Sequence, residues 1–341
     1  MRKIDIFNHI YPPAYYTRLM RIAPDYQDIG KRMRGIPMLA DLDVRFRVMD
    51  AFGEYEQVLS LPTPPIENIV RGADALELAR AANDGMAELV AKYPQRFPAF
   101  IAAIAFDDPD AAIGEAIRAI DTLGARGIQM FTNVHGTPIS APQYLPIFET
   151  LAARDLPIWM HPYRGADMPD FKAEARSEFE IWWTFGWPYE TSAAMARLVF
   201  AGYFDRFPDL KIITHHMGAM APYFAGRVGP GWDQLGARTS EGDLGAVLQS
   251  LRKRPLDYFK MFYADTALFG AYDATVCGLG FFGADHVLFA SDAPFDPEKG
   301  PMYIRETIAI VDRLPMTSEE REKIYWRNAV KLLKLPESRP F

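Results

Sequence analysis

Lys3-Ile4-Asp5-Ile6-Phe7-Asn8-His9 opens the chain with a short apolar run that ends on a histidine, and three later stretches repeat the arrangement. Pro157-Ile158-Trp159-Met160 runs into His161, Lys211-Ile212-Ile213-Thr214 into His215 and His216, and Val287-Leu288-Phe289-Ala290-Ser291 into Asp292. Short continuous apolar runs read as buried parallel strands, and sites in α/β folds gather at the carboxyl ends of such strands. Four of the six histidines therefore stand where a shared site is expected.

Working outward, strand-like runs alternate with helix-like ones along nearly the whole chain. Strands are predicted at Lys3–Phe7, Gln57–Leu61, Ala99–Ile104, Gly127–Phe131, Pro157–Met160, Lys211–Thr214, Met261–Ala264 and Val287–Ser291. Helical patterns fall at Leu42–Phe52, Asp74–Lys92, Pro109–Leu123, Pro142–Arg154, Tyr189–Phe204, Ala267–Phe282, Met302–Asp312 and Ser318–Leu333. This alternation predicts an α/β fold, a parallel (β/α)8 barrel of the TIM type, as a single domain over residues 1–341. Neither an internal repeat nor a linker marks a second domain.

Two stretches, Pro12–Asp41 and Arg164–Pro188 (loops 12–41 and 164–188), are predicted as long loops over the site. The second carries Trp182, Trp183, Phe185 and Trp187, rings fit either to enclose a flat apolar substrate or to anchor the loop or a subunit contact.

With 341 residues, 49% of them hydrophobic, the chain can bury a large core, and its net charge of −7 comes without any block of like charges. That balance argues against a nucleic-acid or membrane partner. Cys277 is the single cysteine and cannot form an internal disulfide, and the first residues lack an apolar signal core, so a cytoplasmic location is expected.

Side-chain alternation in a strand puts Asp5, Phe7 and His9 on one side and Asn8 on the other, pairs Trp159 with His161, and aligns Leu288 and Ala290 with Asp292. His9, His161 and Asp292 then form a donor set suited to zinc or a similar divalent ion with open positions. Parity with Ile212 and Thr214 favours His216 as the inward residue of its pair, where a histidine can act as acid or base. His215 and Asp265 read as hydrogen-bonding support behind the site, with helix capping the alternative for Asp265. Arg227 can pair with a substrate carboxylate. Arg32, Arg34, Arg45 and Arg47 read mostly as solvated, Glu190 as holding a loop or helix start, and His135 and His286 as structural or exposed.

In order and spacing, Ile4-Asp5-Ile6-Phe7-Asn8-His9, Trp159-Met160-His161-Pro162, His216-Met217-Gly218 with Arg227, and Phe289-Ala290-Ser291-Asp292-Ala293-Pro294 resemble the amidohydrolase superfamily. The resemblance is to its amidohydrolase-related branch, which includes aminocarboxymuconate semialdehyde decarboxylase and γ-resorcylate decarboxylase. It implies a barrel of the metal-dependent hydrolase type with one divalent ion, zinc ahead of manganese, held by His9, His161 and Asp292. His216 becomes the catalytic histidine, and Arg227 an arginine that reaches a substrate carboxylate, in some members across a dimer interface. A homodimer or higher homo-oligomer is implied as well.

One departure stands out. The family carries His-x-His or Glu-x-His where this chain has Phe7-Asn8-His9, and phenylalanine cannot ligate a metal. That leaves a site of three protein ligands completed by water, or chemistry without metal. Three functions follow: a lyase decarboxylating an aromatic or unsaturated carboxylic acid without oxidation; a hydrolase of a lactone, amide or cyclic C–N bond, using metal-activated water or His216 and Asp292; or a barrel that binds without catalysis.

Overall fold

The computed structural model describes residues 1–240 and 242–338. Strands form in all eight predicted runs: β1 (Lys3–His9), β2 (Tyr55–Ser60), β3 (Ala102–Ala103), β4 (Ile128–Phe131), β5 (Ile158–His161), β6 (Ile212–Thr214), β7 (Tyr263–Asp265) and β8 (Val287–Leu288). β1 pairs with β2, and β3 to β8 form a six-stranded sheet in chain order, every pairing parallel. Backbone hydrogen bonds outside the ladders join the two sheets at both edges. Leu59 N donates to Ala99 O and Ile101 N to Leu59 O, while Ile6 N donates to Phe289 O and His9 N to Ala293 O. A further hairpin, Asn133–Val134 with Thr137–Pro138, follows β4.

The inner face of the strands is apolar along most of its length. Ile4, Ile6, Val58, Ile101, Trp159, Ile213, Leu288 and Ala290 form one buried cluster with Leu332, Leu333 and Leu335 from the last helical segment. Arg2 bonds to the carbonyls of Pro336 and Glu337, which sets that segment beside the amino end of β1. Each fully buried leucine there contributes roughly 1.5–3 kcal/mol. Outside the strands lie the helices; in Ala73–Lys92 the buried Ala75, Leu78, Ala79, Ala82, Met86 and Leu89 recur at three- and four-residue spacing.

Strict alternation fails in β1. Its register with β2 shifts between Asp5 and Asn8, so Phe7 joins Ile4 and Ile6 in the inner cluster while Asp5 points away. The shift is held by the Asp5 carboxylate, which accepts from Phe7 N at 3.1 Å and Ser291 N at 3.2 Å. This is the behaviour of a bulge, where one extra residue re-aims those that follow.

Both predicted long loops contain helix. Residues 12–41 hold Pro13–Ile22, Ile29–Met33 and the 3-10 turn Pro37–Leu39, and residues 164–188 hold Ile181–Thr184 and the start of Gly186–Phe200. Their irregular polar patterning hid these short helices, of which Pro13–Ile22 packs against the helix Ala73–Lys92. Helices at Ala225–Trp232, Leu244–Ser250 and Pro255–Phe259 were not expected. Among the described residues no helix is long and apolar enough to cross a membrane.

Candidate active site

The carboxyl ends of β1, β5, β6 and β8 bring His9, His161, His215, His216 and Asp292 together. His161, His216 and Asp292 line a cavity of about 720 Å³. Its walls come from the two long segments: Gln27–Met33 on one side, and Ala166, Ser177, Trp182, Trp183 and Trp187 on the other, with Phe269, Phe295 and Tyr303 completing an aromatic enclosure. An Arg176–Asp28 ion pair of 3.2 Å ties the two segments. Phe185, expected within the aromatic cluster, is 76% exposed and faces outward.

The ring nitrogens fix the protonation pattern. His161 Nδ1 lies 2.6 Å from Pro162 O, and His216 Nδ1 2.7 Å from Ala267 O. A carbonyl only accepts, so each Nδ1 carries the proton and each Nε2 is left for chemistry. Burial, reinforced by His215 and His9, holds His161 well below the usual histidine range. At neutral pH it is an uncharged lone-pair donor.

His9 is more constrained. Its Nδ1 meets Leu61 O and Ser60 Oγ, both at 3.2 Å, and Ser60 spends its own proton on Asn8 O. Nδ1 therefore donates, and Nε2 faces Asp292 Oδ1 at 3.0 Å.

His215 is fully buried. Its Nδ1 donates to Asp265 Oδ2 at 2.7 Å, and Asp265 Oδ1 accepts from the backbone N–H of His216 and Ala267, each at 3.0 Å. Asp265 thus orients a histidine and does not cap the helix that begins at Tyr272. His215 Nε2 has no partner, and an unpaired buried acceptor costs about 1–3 kcal/mol. Burial, with His216 adding to it, keeps this ring well below its ordinary range and hence neutral.

The parity argument for His216 is overturned. Ile213 faces the inner cluster, so alternation sends His215 inward, and His216 reaches the cavity because the backbone turns there with φ of 52°. Asp292 likewise has φ of 61°. Such left-handed non-glycine residues cost of order 1–3 kcal/mol each and gather at functional sites.

Phe7 sits among the histidines, its ring centroid 4.5 Å from His9, 5.5 Å from His161 and 3.1 Å from His215. Among the described residues no three His, Cys, Asp or Glu side chains are drawn together as a metal centre. The chemistry of the donors nevertheless fits a divalent ion: neutral imidazoles with free Nε2 atoms, a carboxylate facing His9, and an orphaned buried nitrogen.

Arg227 is exposed on the helix Ala225–Trp232 and does not line the cavity. The cations that do are Lys31, Arg32 and Arg176, and Arg32 is anchored by donating to the carbonyls of Phe295 and Asp296. Their signal was their place in the segment after β1 or beside the tryptophans. Arg45, one of four arginines read as mostly solvated, is fully buried behind β1. Glu190 pairs with Arg164 at 3.3 Å. His135 is exposed, and His286 stacks on Tyr263 at 4.6 Å.

The amidohydrolase family model matches residues 9–335. γ-Resorcylate decarboxylase from Polaromonas sp. JS666 is 32% identical over 324 residues, 91% of each chain. A structure of dihydroxybenzoic acid decarboxylase from Polaromonas sp. JS666, with manganese and 2-nitroresorcinol bound, superposes with TM-score 0.78 at 30% identity over 99% of this chain and 98% of that one. The 5-carboxyvanillate decarboxylase of Novosphingobium aromaticivorans, with manganese and 4-hydroxy-3-methoxy-5-nitrobenzoic acid, gives 0.82 at 26% identity over 98% and 96%.

Proposed function

Because the chain belongs to the amidohydrolase family, with carboxylic-acid decarboxylases among its relatives, we propose that it is a carboxy-lyase that removes carbon dioxide from an aromatic carboxylic acid without oxidation. The observation that carries this reading is His216: its Nδ1 is fixed on Ala267 O, and it stands in an aromatic-walled cavity with His161 and Asp292. On this reading the strands close as a single (β/α)8 barrel, supported by the backbone bonds from β1 and β2 to both edges of the larger sheet.

Trp182 and Trp187 flank the substrate ring, and Lys31 and Arg32 offset its negative charge. His216, protonated at Nε2, gives that proton to the ring carbon bearing the carboxylate. The bond from that carbon to the carboxylate then breaks, its electron pair restores the aromatic ring, and carbon dioxide leaves. His216 ends neutral and regains its proton from water. The enclosing rings keep bulk water from the intermediate. His9, His161 and Asp292 would hold a divalent ion, manganese or zinc, which would supply Lewis-acid neutralisation of the substrate's negative charge.

Incubating the purified chain with 2,6-dihydroxybenzoate, 5-carboxyvanillate and a set of lactones in heavy water tests the proposal. Carbon dioxide and one deuteron at the vacated ring carbon are expected. Lactone opening without carbon dioxide from any carboxylate would overturn it.

A further inference from the structure

The residue that lost a donor and the residue with one to spare are neighbours. By the resemblance, Phe7 takes the place of a ligand, and its ring lies against that of His215, 3.1 Å between centroids. We propose that His215 replaces the missing donor, so that this chain holds its divalent ion through His9, His161, His215 and Asp292. The inference rests on the divalent ion assigned above to this site.

Histidines that ligate metals characteristically donate their other ring nitrogen to a carboxylate or carbonyl, which fixes tautomer and orientation. His215 has that arrangement. Nδ1 is bound to Asp265, itself held by two backbone N–H groups, and Nε2 carries the lone pair. A histidine kept for packing would be expected to satisfy both nitrogens, yet Nε2 is buried with no partner. A second imidazole stands close by. The His161 ring, with its own free Nε2, lies 5.1 Å away between centroids.

The set is open and not yet contracted: His9 and His161 stand 5.7 Å apart between ring centroids, and no three ligands converge among the described residues. Phe7 is the wedge, in contact with His9 and His215 and beside His161. Drawing the donors onto one ion requires the phenyl ring to yield, so its size sets the affinity.

The chain, stripped with chelator and free of substrate, is titrated with Mn²⁺ by electron paramagnetic resonance and with Co²⁺ by visible absorption. Wild type should take one ion per chain. His215→Gln should weaken binding at least about tenfold and change the cobalt spectrum, Phe7→Ala should tighten binding, and Phe7→His should restore the His215→Gln variant. Unchanged affinity and spectrum in His215→Gln, or no ion bound by wild type, overturns the inference. X-ray absorption of the zinc-loaded wild type counts imidazoles without any variant: three support it and two overturn it. A chain that binds its ion this way but releases no carbon dioxide would refute the reaction and leave this inference standing.

Discussion

Behind β1, the guanidinium of buried Arg45 donates to Asn8 Oδ1 at 3.2 Å, Gln57 Oε1 at 2.6 Å, the carbonyl of His9, and Met38 O. Asn8 in turn donates to Asp5 O and Val58 O, and the Asp5 carboxylate accepts from Tyr55 and Ser291 hydroxyls as well as two backbone N–H groups. In front of the same strand, His215 Nε2 has no partner and His216 keeps Nε2 for the cavity. Both sides are polar, and Asn8, Arg45 and His215 are equally buried. Satisfaction separates them. A completed buried network is rigid and holds geometry, whereas a nitrogen left unpaired is paid for in stability and stays available to a ligand.

The division predicts opposite phenotypes. His216→Asn should lower the decarboxylation rate by about 10²–10⁴-fold, the usual worth of a positioned acid, with an unfolding midpoint close to wild type. Steady-state kinetics and a thermal melt on the same sample check both. Arg45→Met should do the reverse first. It strips the partner from Asn8, Gln57 and two carbonyls, each unsatisfied acceptor costing about 1–3 kcal/mol, so urea unfolding should show a loss of at least about 3 kcal/mol. Substrate turnover should fall mainly through displaced His9. A stable Arg45→Met protein without activity would break the comparison, placing Arg45 in the chemistry.

What the sequence disclosed follows the same line. Apolar runs ending in histidine or aspartate are local, so the strands and the gathering of His9, His161, His216 and Asp292 were legible. The aromatic wall was legible from Trp182 and Trp187. The bulge was not, because it depends on Asp5 meeting Ser291, far along the chain, and it changed which side chains face inward. Arg45 was not told apart from the other three arginines because its charge outweighed its period: it and Met49, four residues on, form the buried face of Leu42–Asp50. Arg227 carried the resemblance but lies outside the cavity, while Lys31, Arg32 and Arg176 reach it only because their segments fold over the site.

The smallest effect concerns Asp5, an acid of the satisfied side whose burial works against its own charge. Burial pushes the Asp5 carboxyl up to about 6, despite the lowering hydrogen bonds from Ser291, Tyr55 and Phe7. A pKa raised on folding means the native state binds the proton more tightly than the unfolded chain. Its contribution is therefore fully present below the unfolded value near 4 and is lost as pH rises through about 6. Asp5→Asn has no such loss. Although the amide sacrifices one acceptor and costs stability at every pH, its deficit relative to wild type should shrink by about 2–3 kcal/mol between pH 4 and pH 7. Paired urea titrations across that range measure the difference, in which the histidines and other groups common to both proteins cancel. A constant deficit would mean that the hydrogen bonds from Tyr55 and Ser291 fully offset burial, making the back of β1 as complete electrostatically as it is geometrically.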